Sequence, residues 1–170
     1  MKKLILILIG LNLTFCQNTK TGMTKEEFET KIEIIEKENI ANKRLANGWY
    51  TTLSKENEFK RLYNKTSDEY FINPKPIVLP DNFSISEEYE NNQGVKTIAV
   101  YFDQSGTDSW SKATDYNIGL HLIFILDNEI LSAPLVNSQI TNGASAFWKN
   151  ELTEKQWKKI KEIVTRKTKN

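Results

Sequence analysis

Few side chains of the kinds that catalyse reactions occur in this chain. His121 is the only histidine, which excludes a histidine-rich metal site and a relay of histidines. It stands at the start of an apolar run, so we favour a structural role for it over a catalytic one. Asp103, Asp108, Asp115 and Asp127 fall at predicted caps and turns, where a short carboxylate accepts hydrogen bonds from backbone amides. They form no recognisable acid–base pair.

The motifs of common enzyme loops are also missing. The segment 143–145 has no second glycine to complete a nucleophile elbow, and there is no phosphate-binding loop or zinc-ligand spacing. The sequence therefore predicts no metal, no cofactor and no small-molecule substrate, and it favours a binding module over an enzyme.

The charge excludes another class of partner. When Lys2 and Lys3 are removed with a predicted signal sequence, the 23 basic residues become 21 against 22 acidic ones, a net charge of −1. Nucleic acid is not an expected partner of such a chain.

The N-terminus has the pattern of a secretory signal, with a charged start and an apolar run from Leu4 to Leu13 that is too short for a permanent membrane span. Cys16, the only cysteine, follows a sequence that resembles a bacterial lipobox, although Phe15 replaces the usual small residue. We predict that residues 1–16 are a lipoprotein signal and that Cys16 is lipidated. The mature protein would then be anchored in the cell envelope, facing the periplasm or the cell exterior. An ordinary secreted or uncleaved signal is the alternative.

A polar tether and one helix follow the signal, in residues 17–46. Thr24 and Glu27 form a capping box, and apolar residues continue at helical spacing, which predicts a helix from Lys25 to about Asn42. Its apolar stripe is narrow. We favour packing on the rest of the domain over a coiled-coil partner, because the repeat is too short for a stable isolated coil.

The next region, up to residue 94, reads as short strands and connections. Residues 49–53, 59–63 and 70–72 are β-type runs whose aromatic residues we assign to a core in preference to a ligand surface. The three prolines in 73–80 restrict that segment to a sheet edge or an extended connection. Residues 87–94 are predicted to be a solvated loop.

The densest structural signals lie in residues 95–147. Residues 97–102 predict a strand, and the helical spacing from 107 to 117 predicts a helix with Asp103 or Ser105 as its cap. Residues 120–126 are apolar on both faces, as in a central strand, and Asp127-Asn128 is a two-residue hairpin turn into 129–133. The order is βαββ. Asn142-Gly143 is a second hairpin signal.

The chain is predicted to end in a helix. Thr153 and Gln156 form a capping box, and Leu152 and Trp157 are placed as a hydrophobic staple.

A series of short motifs occurs in a fixed order in the central residues, namely Phe102-Asp103, Gly106, Trp110, Ala113-Thr114, Asn117 to Gly119, Leu126 to Pro134 and Ile140 to Ala144. In these motifs the chain resembles a known family, the head subdomain of the first periplasmic domain of SecD, the protein-export membrane protein that works with SecF. The resemblance extends from Pro76 towards the C-terminus.

The resemblance and the element order together predict the fold. We expect an α+β domain over residues 47–170, a ferredoxin-like split βαβ sheet in which βαββ is followed by a C-terminal helix. The N-terminal helix and the short strands would be additions to it.

The resemblance implies a head that contacts exported polypeptide while a transmembrane part couples that contact to proton flow. No second apolar segment here is long enough to span a bilayer, so we expect no motor activity in this chain. We expect a lipid-anchored domain that binds exported or unfolded polypeptide, or an envelope protein. An immunity or inhibitor-type lipoprotein that blocks one enzyme or toxin is the alternative, and a cell-wall hydrolase is a remote third.

Pro134, Leu135 and Val136 are the candidate peptide-binding residues. Proline cannot donate to a sheet ladder, and the two residues after it would place apolar side chains beside unpaired backbone groups at a sheet edge. Such an edge accepts an extended peptide by strand addition. The alternative is that the N-terminal helix or the strands in 49–72 bury Leu135 and Val136.

Three glycines are assigned to structure. Gly106, Gly119 and Gly143 lie where a turn or a helix end calls for a positive φ.

Overall fold

The computed structural model describes residues 22–165; the predicted signal and lipidation site lie outside that range. In chain order, the helices and strands are α1 (Lys25–Asn42), β1 (Gly48–Thr52), β2 (Lys60–Tyr63), β3 (Asp68–Val78), β4 (Phe83–Glu90), β5 (Lys96–Phe102), α2 (Gln104–Tyr116), β6 (Leu122–Leu126), β7 (Glu129–Ser132), β8 (Ala144–Trp148) and α3 (Glu154–Thr165).

The strands form two antiparallel sheets. One has the order β2-β3-β1-β6-β7 and the other the order β4-β5-β8. The predicted α+β class and the βαββ order are confirmed. In the structure, β5 lies in the three-stranded sheet, whereas β6 and β7 lie in the five-stranded sheet. Helix α2 therefore connects two different sheets. In a split βαβ unit, the strands before and after the helix would belong to a single sheet.

Aromatic rings fill the space between the sheets. The Trp49 ring of β1 lies 5.0 Å from the Trp110 ring of α2, 5.1 Å from the Phe124 ring of β6 and 6.1 Å from the Phe147 ring of β8. Strand β6 is buried at every position, as expected of a central strand. The aromatics of the first strands therefore serve the core, as the sequence predicted.

Helix α1 has the predicted bounds and the predicted capping box. The Glu27 amide donates to Thr24 Oγ1 at 3.2 Å, and the Thr24 amide donates to Glu27 Oε2 at 2.8 Å. The helix packs on the domain through Phe28 and Ile32, which contact Leu79. Packing on the domain, the favoured alternative, is what the structure shows.

A buried polar network fixes the end of α1. Asn39 Nδ2 donates to the Pro74 carbonyl at 2.8 Å and to Tyr50 Oη at 3.2 Å, and its Oδ1 accepts from the Ala46 amide. Burial raises the pKa of Tyr50 to about 12, because a phenolate there would be desolvated.

Helix α3 also begins as predicted. The Thr153 amide donates to Gln156 Oε1 at 2.9 Å, and the Gln156 amide donates back to Thr153 Oγ1 at 3.3 Å. Trp157, Ile160 and Val164 join the main core.

One strand is longer than predicted, and another occupies part of a predicted loop. The predicted run 70–72 is part of the longer β3, and its proline-containing half pairs only with β1, since β2 pairs with residues 68–71. This is the edge position at which proline is tolerated. The predicted loop at 87–94 is wrong, because β4 continues to Glu90. Residues 87–90 are all exposed on this edge strand, and their polarity does not preclude pairing with β5.

The turn predictions have mixed outcomes. Asp127 and Asn128 have φ of 55° and 70°, as the predicted two-residue hairpin between β6 and β7 requires. The hairpin predicted at Asn142-Gly143 is wrong, because no strand ends at residue 141 and β7 already pairs with β6.

The three glycines differ in backbone conformation and in how closely other atoms pack against them. Gly119 and Gly143 have the expected positive φ, 81° and 60°. The expectation for Gly106 is wrong, because this residue lies in the first turn of α2, where its amide donates to the cap Asp103 Oδ1 at 2.8 Å. Glycine is needed there for close packing, since a Cβ would lie 2.9 Å from the Asn82 Cβ.

Gly143→Ala should be more destabilising than Gly94→Ala. Both glycines have a positive φ, which costs an alanine about 1–2 kcal/mol. A Cβ at Gly94 would meet no atom of residues 22–165 within 4 Å, whereas one at Gly143 would overlap the Thr107 side chain. We expect a loss of roughly 2–4 kcal/mol in the free energy of unfolding for Gly143→Ala. Urea unfolding of the two variants measures this difference, and equal losses would contradict the close approach to Thr107.

Candidate functional site

Residues 133–136 continue the edge strand β7 alongside the segment that precedes β6. The Leu122 amide donates to the Pro134 carbonyl at 3.1 Å, and the Val136 amide donates to the Leu120 carbonyl at 2.9 Å. His121 and Leu135 face each other as an antiparallel bridge between these bonded positions. Because bonded and non-bonded pairs alternate in an antiparallel ladder, the Leu135 N–H and C=O point away from the sheet.

Leu135 and Val136 have opposite surroundings. Leu135 is 48% exposed, whereas Val136 is 6% exposed and belongs to the main core together with Trp110 and Leu122. The alternative, in which both residues are buried by the N-terminal helix or by the strands in 49–72, does not hold for Leu135. Leu135 presents an apolar side chain, and its backbone groups pair with no residue in the described range 22–165. Val136 attaches the edge to the core.

His121 positions the backbone of this edge. Its Nδ1 lies 2.7 Å from the Ala133 carbonyl oxygen, and because a carbonyl can only accept, Nδ1 is the donor. Its ring also packs at 5.3 Å from the Tyr70 ring of β3. These contacts connect the edge to β3, on the other side of the five-stranded sheet.

A small apolar cleft lies beside the edge. It has a volume of about 230 Å³ and is lined mainly by apolar side chains, among them Trp110, Leu122, Leu135 and Ile140. This is below the range of roughly 300–1,000 Å³ typical of small-molecule sites. Its size and lining suit a single apolar side chain of a bound polypeptide.

Large apolar side chains are also exposed at the end of α2. Tyr116, Ile118 and Leu120 occupy alternate positions there, and together with Leu135 we call them the end patch. All four are exposed, Tyr116 to 83%. Exposed apolar side chains that lie near a strand edge are candidates for contact with a partner.

Sequence reasoning found the edge but missed the end patch and the cleft. The signal for the patch was the pair of large apolar residues Tyr116 and Ile118 on either side of Asn117, in a turn that needs none. The contribution of Trp110 to the cleft had no local signal, because α2 reaches the edge only through the tertiary fold.

The described residues contain neither a group of metal ligands nor a helix that could span a membrane. Between residues 22 and 165, no three His, Cys, Asp or Glu side chains are grouped as a metal site would require. In the same range, no helix has both the length and the apolar character needed to cross a bilayer. The surface offers backbone groups and apolar side chains, which are the chemistry of polypeptide binding.

Comparison with known proteins gives the family. Residues 56–155, more than half of the chain, match the model of the SecDF P1 head subdomain. The chain therefore belongs to the SecDF P1 head subdomain family, and the resemblance seen in its sequence is confirmed.

Curated relatives match over part of their length. The protein translocase subunit SecD of Rickettsia conorii is 28% identical over 93 residues, which is 54% of this chain and 18% of the relative. The SecD subunit of Rickettsia bellii is 36% identical over 55 residues, 32% of this chain and 10% of the relative. The chain thus spans less than a fifth of the length of these relatives.

Solved structures confirm the fold. A structure of SecDF, described as a membrane component that enhances protein export, matches with a TM-score of 0.52 and 14% identity over 84% of this chain and 69% of that one. A crystal structure of SecDF in its super-membrane-facing form matches with a TM-score of 0.50 and 13% identity, over 79% of this chain and 20% of that one.

Substitutions at the edge should separate its two side chains. Val136→Ala removes buried methyl groups and should lower the free energy of unfolding by roughly 1–3 kcal/mol. Leu135→Ala should change it by no more than about 0.5 kcal/mol, because that side chain is exposed. Chemical unfolding of both variants measures the contrast. A larger loss at Leu135 would mean that its side chain, and not that of Val136, packs in the core.

Proposed function

We propose that this protein is a lipid-anchored SecD head-like domain that binds extended stretches of exported or unfolded polypeptide at the cell envelope. Membership of the SecDF P1 head family supports the export context. The observation that carries the binding activity is the edge at Leu135, where unpaired backbone groups, an exposed apolar side chain and an apolar cleft occur together.

The chemistry of this edge suits many polypeptides and not one sequence. An extended segment beside Leu135 would form main-chain hydrogen bonds, which are largely indifferent to sequence. One of its apolar side chains would enter the cleft between Trp110 and Ile140, and others would contact the end patch. A folded protein exposes few unpaired strand backbones, so the site would select unfolded chains.

The anchor is the second part of the proposal. The charged start, the short apolar run and the lipobox-like sequence before Cys16 support lipidation of that cysteine. Lipidation would hold the head at a membrane surface facing the periplasm or the cell exterior. The chain would then present polypeptide-binding groups beside the membrane without motor activity of its own.

A photo-crosslinker at position 135 should capture unfolded protein. The test compares one substrate in its native form with the same substrate reduced and alkylated. We expect crosslinks to the unfolded form from position 135, and few from Lys158, an exposed residue of α3 that serves as the control. Crosslinking is read on denaturing gels.

The outcomes of this experiment are distinct. Capture at Lys158 but not at Leu135 would refute the edge and move the site to the helical face. Capture of a single native envelope protein that resists high salt would instead favour the inhibitor-type function over a general polypeptide-binding one.

Cys16→Ala should abolish anchoring. Without the thiol, no lipid can be attached, so the protein should either leave the membrane fraction or accumulate with its signal uncleaved. Fractionation with labelling by a radioactive fatty acid measures both effects. A processed Cys16→Ala variant that still sediments with membranes as the parent does would refute the lipid anchor.

A further inference from the structure

Strand β8 is an edge of the three-stranded sheet, and one side of its backbone pairs with no strand of the described part of the chain. The Phe102 amide donates to the Gly143 carbonyl at 2.8 Å, and the same register continues along β5 and β8. Because bonded positions alternate, Ser145 and Phe147 bond to β5. The backbone groups of Ala144, Ala146 and Trp148 point the other way. Within residues 22–165, no hydrogen bond from another strand reaches these groups. The Trp148 carbonyl belongs to the N-cap of the 3-10 turn Lys149–Glu151, which leaves the Trp148 amide and both groups of Ala144 and Ala146 open.

The opposite edge of the same sheet is protected by charge. The Asn91 amide donates to the Val95 carbonyl at 3.0 Å, in register with the pairing of β4 and β5. By the same alternation, the free backbone groups of β4 are those of Ser86, Glu88 and Glu90. Glu88 is paired with Lys161 at 2.7 Å, and both its ion pair and the Glu90 carboxylate lie along this edge, where charged side chains discourage the addition of another strand. The β8 edge has two alanines and a tryptophan at the equivalent positions, and no charge.

The unprotected edge borders a cleft of about 330 Å³. Ala146 and Trp148 form one wall, and Ser132, Ala133 and Pro134 at the end of β7 form the other. Glu151 at the rim is paired with Lys65 at 3.3 Å, so its carboxylate is compensated. Trp148 is 48% exposed and offers a large apolar face. The cleft therefore combines unpaired amides and carbonyls, small side chains and an absence of net charge.

We propose that the β8 edge binds an uncharged, extended polypeptide segment as a fourth strand of this sheet. The segment lies in the cleft between β8 and residues 132–134, bonds to the backbone of Ala144, Ala146 and Trp148, and places an apolar side chain on the Trp148 ring. Small side chains at 144 and 146 allow its backbone to approach. The inference rests on the proposed function. It adds to the Leu135 edge a second binding site, which takes uncharged extended segments. The carboxylates along β4 exclude that strand as the docking edge.

A matched pair of proline variants tests this edge. Ala146→Pro and Ser86→Pro each delete an amide without a ladder partner, one on β8 and one on β4, and proline is tolerated at such positions. The probe is a fluorescein-labelled peptide of alternating valine and threonine, about six residues long like a typical strand. Fluorescence anisotropy with the full chain should show at least about tenfold weaker binding for Ala146→Pro and unchanged binding for Ser86→Pro. Thermal unfolding of both variants verifies that they are folded.

A second measurement does not depend on the folding of any variant. The same peptide with every amide N-methylated should bind the unmodified protein at least about tenfold more weakly, because it cannot donate to the β8 carbonyls. Equal binding of the methylated and parent peptides would overturn the inference, and so would equal binding by the parent protein and a folded Ala146→Pro.

The outcomes separate this inference from the proposed function. If unfolded protein is captured at Leu135 while Ala146→Pro binds the peptide normally, the β8 site is refuted and the proposed function stands. If the parent protein neither binds the peptide nor captures unfolded protein, both are refuted.

Discussion

The contact between Trp49 and its ring neighbours is the interaction on which the two-sheet architecture depends. Trp49 and Phe124 come from the five-stranded sheet, Phe147 from the three-stranded sheet and Trp110 from the helix between them. Aromatic pairs at these separations add about 0.5–1.5 kcal/mol each beyond the area that they bury. Trp110 also lines the cleft beside Leu135, so the ring cluster that joins the sheets sets the shape of the candidate site.

Asp103 fixes the approach of α2 to this core. Its carboxylate is buried and accepts from the Gly106 amide at 2.8 Å, from Asn82 Nδ2 at 3.2 Å and from the Met23 amide at 3.4 Å. A buried carboxylate is costly unless it is hydrogen-bonded, and here three separate segments satisfy it. The sequence predicted Asp103 or Ser105 as the cap, because capping is local, and the structure has Asp103 in that position. Its bonds to Asn82 and Met23 could not be foreseen, because they join residues distant in the chain.

The difference between local and non-local interactions also explains how much of the fold and the site could be predicted from the sequence. The capping boxes at Thr24 and Thr153 and the turn at Asp127-Asn128 are set by neighbouring residues, and each is present. The division of β5 and β6 between two sheets, and the close approach of Gly143 to Thr107, depend on non-local packing that no spacing shows. At the site, Pro134 identified the edge from local chemistry. The exposure of Leu135, the burial of Val136 and the open side of β8 required the fold.

The distribution of charge over the strand edges indicates that the open edges select uncharged polypeptide segments. Strand β2 carries Lys60, paired with Glu69 at 2.9 Å, and Arg61, which donates to Asn128 Oδ1 at 2.8 Å. Strand β4 carries carboxylates along its free side. Natural proteins use such charges to prevent edge-to-edge association. The continuation of β7 at Leu135 and the edge of β8 lack them, and the connection 133–143 joins these two edges. An acidic or basic segment would gain no partner at either one, whereas an uncharged extended segment could pair without desolvating a charge.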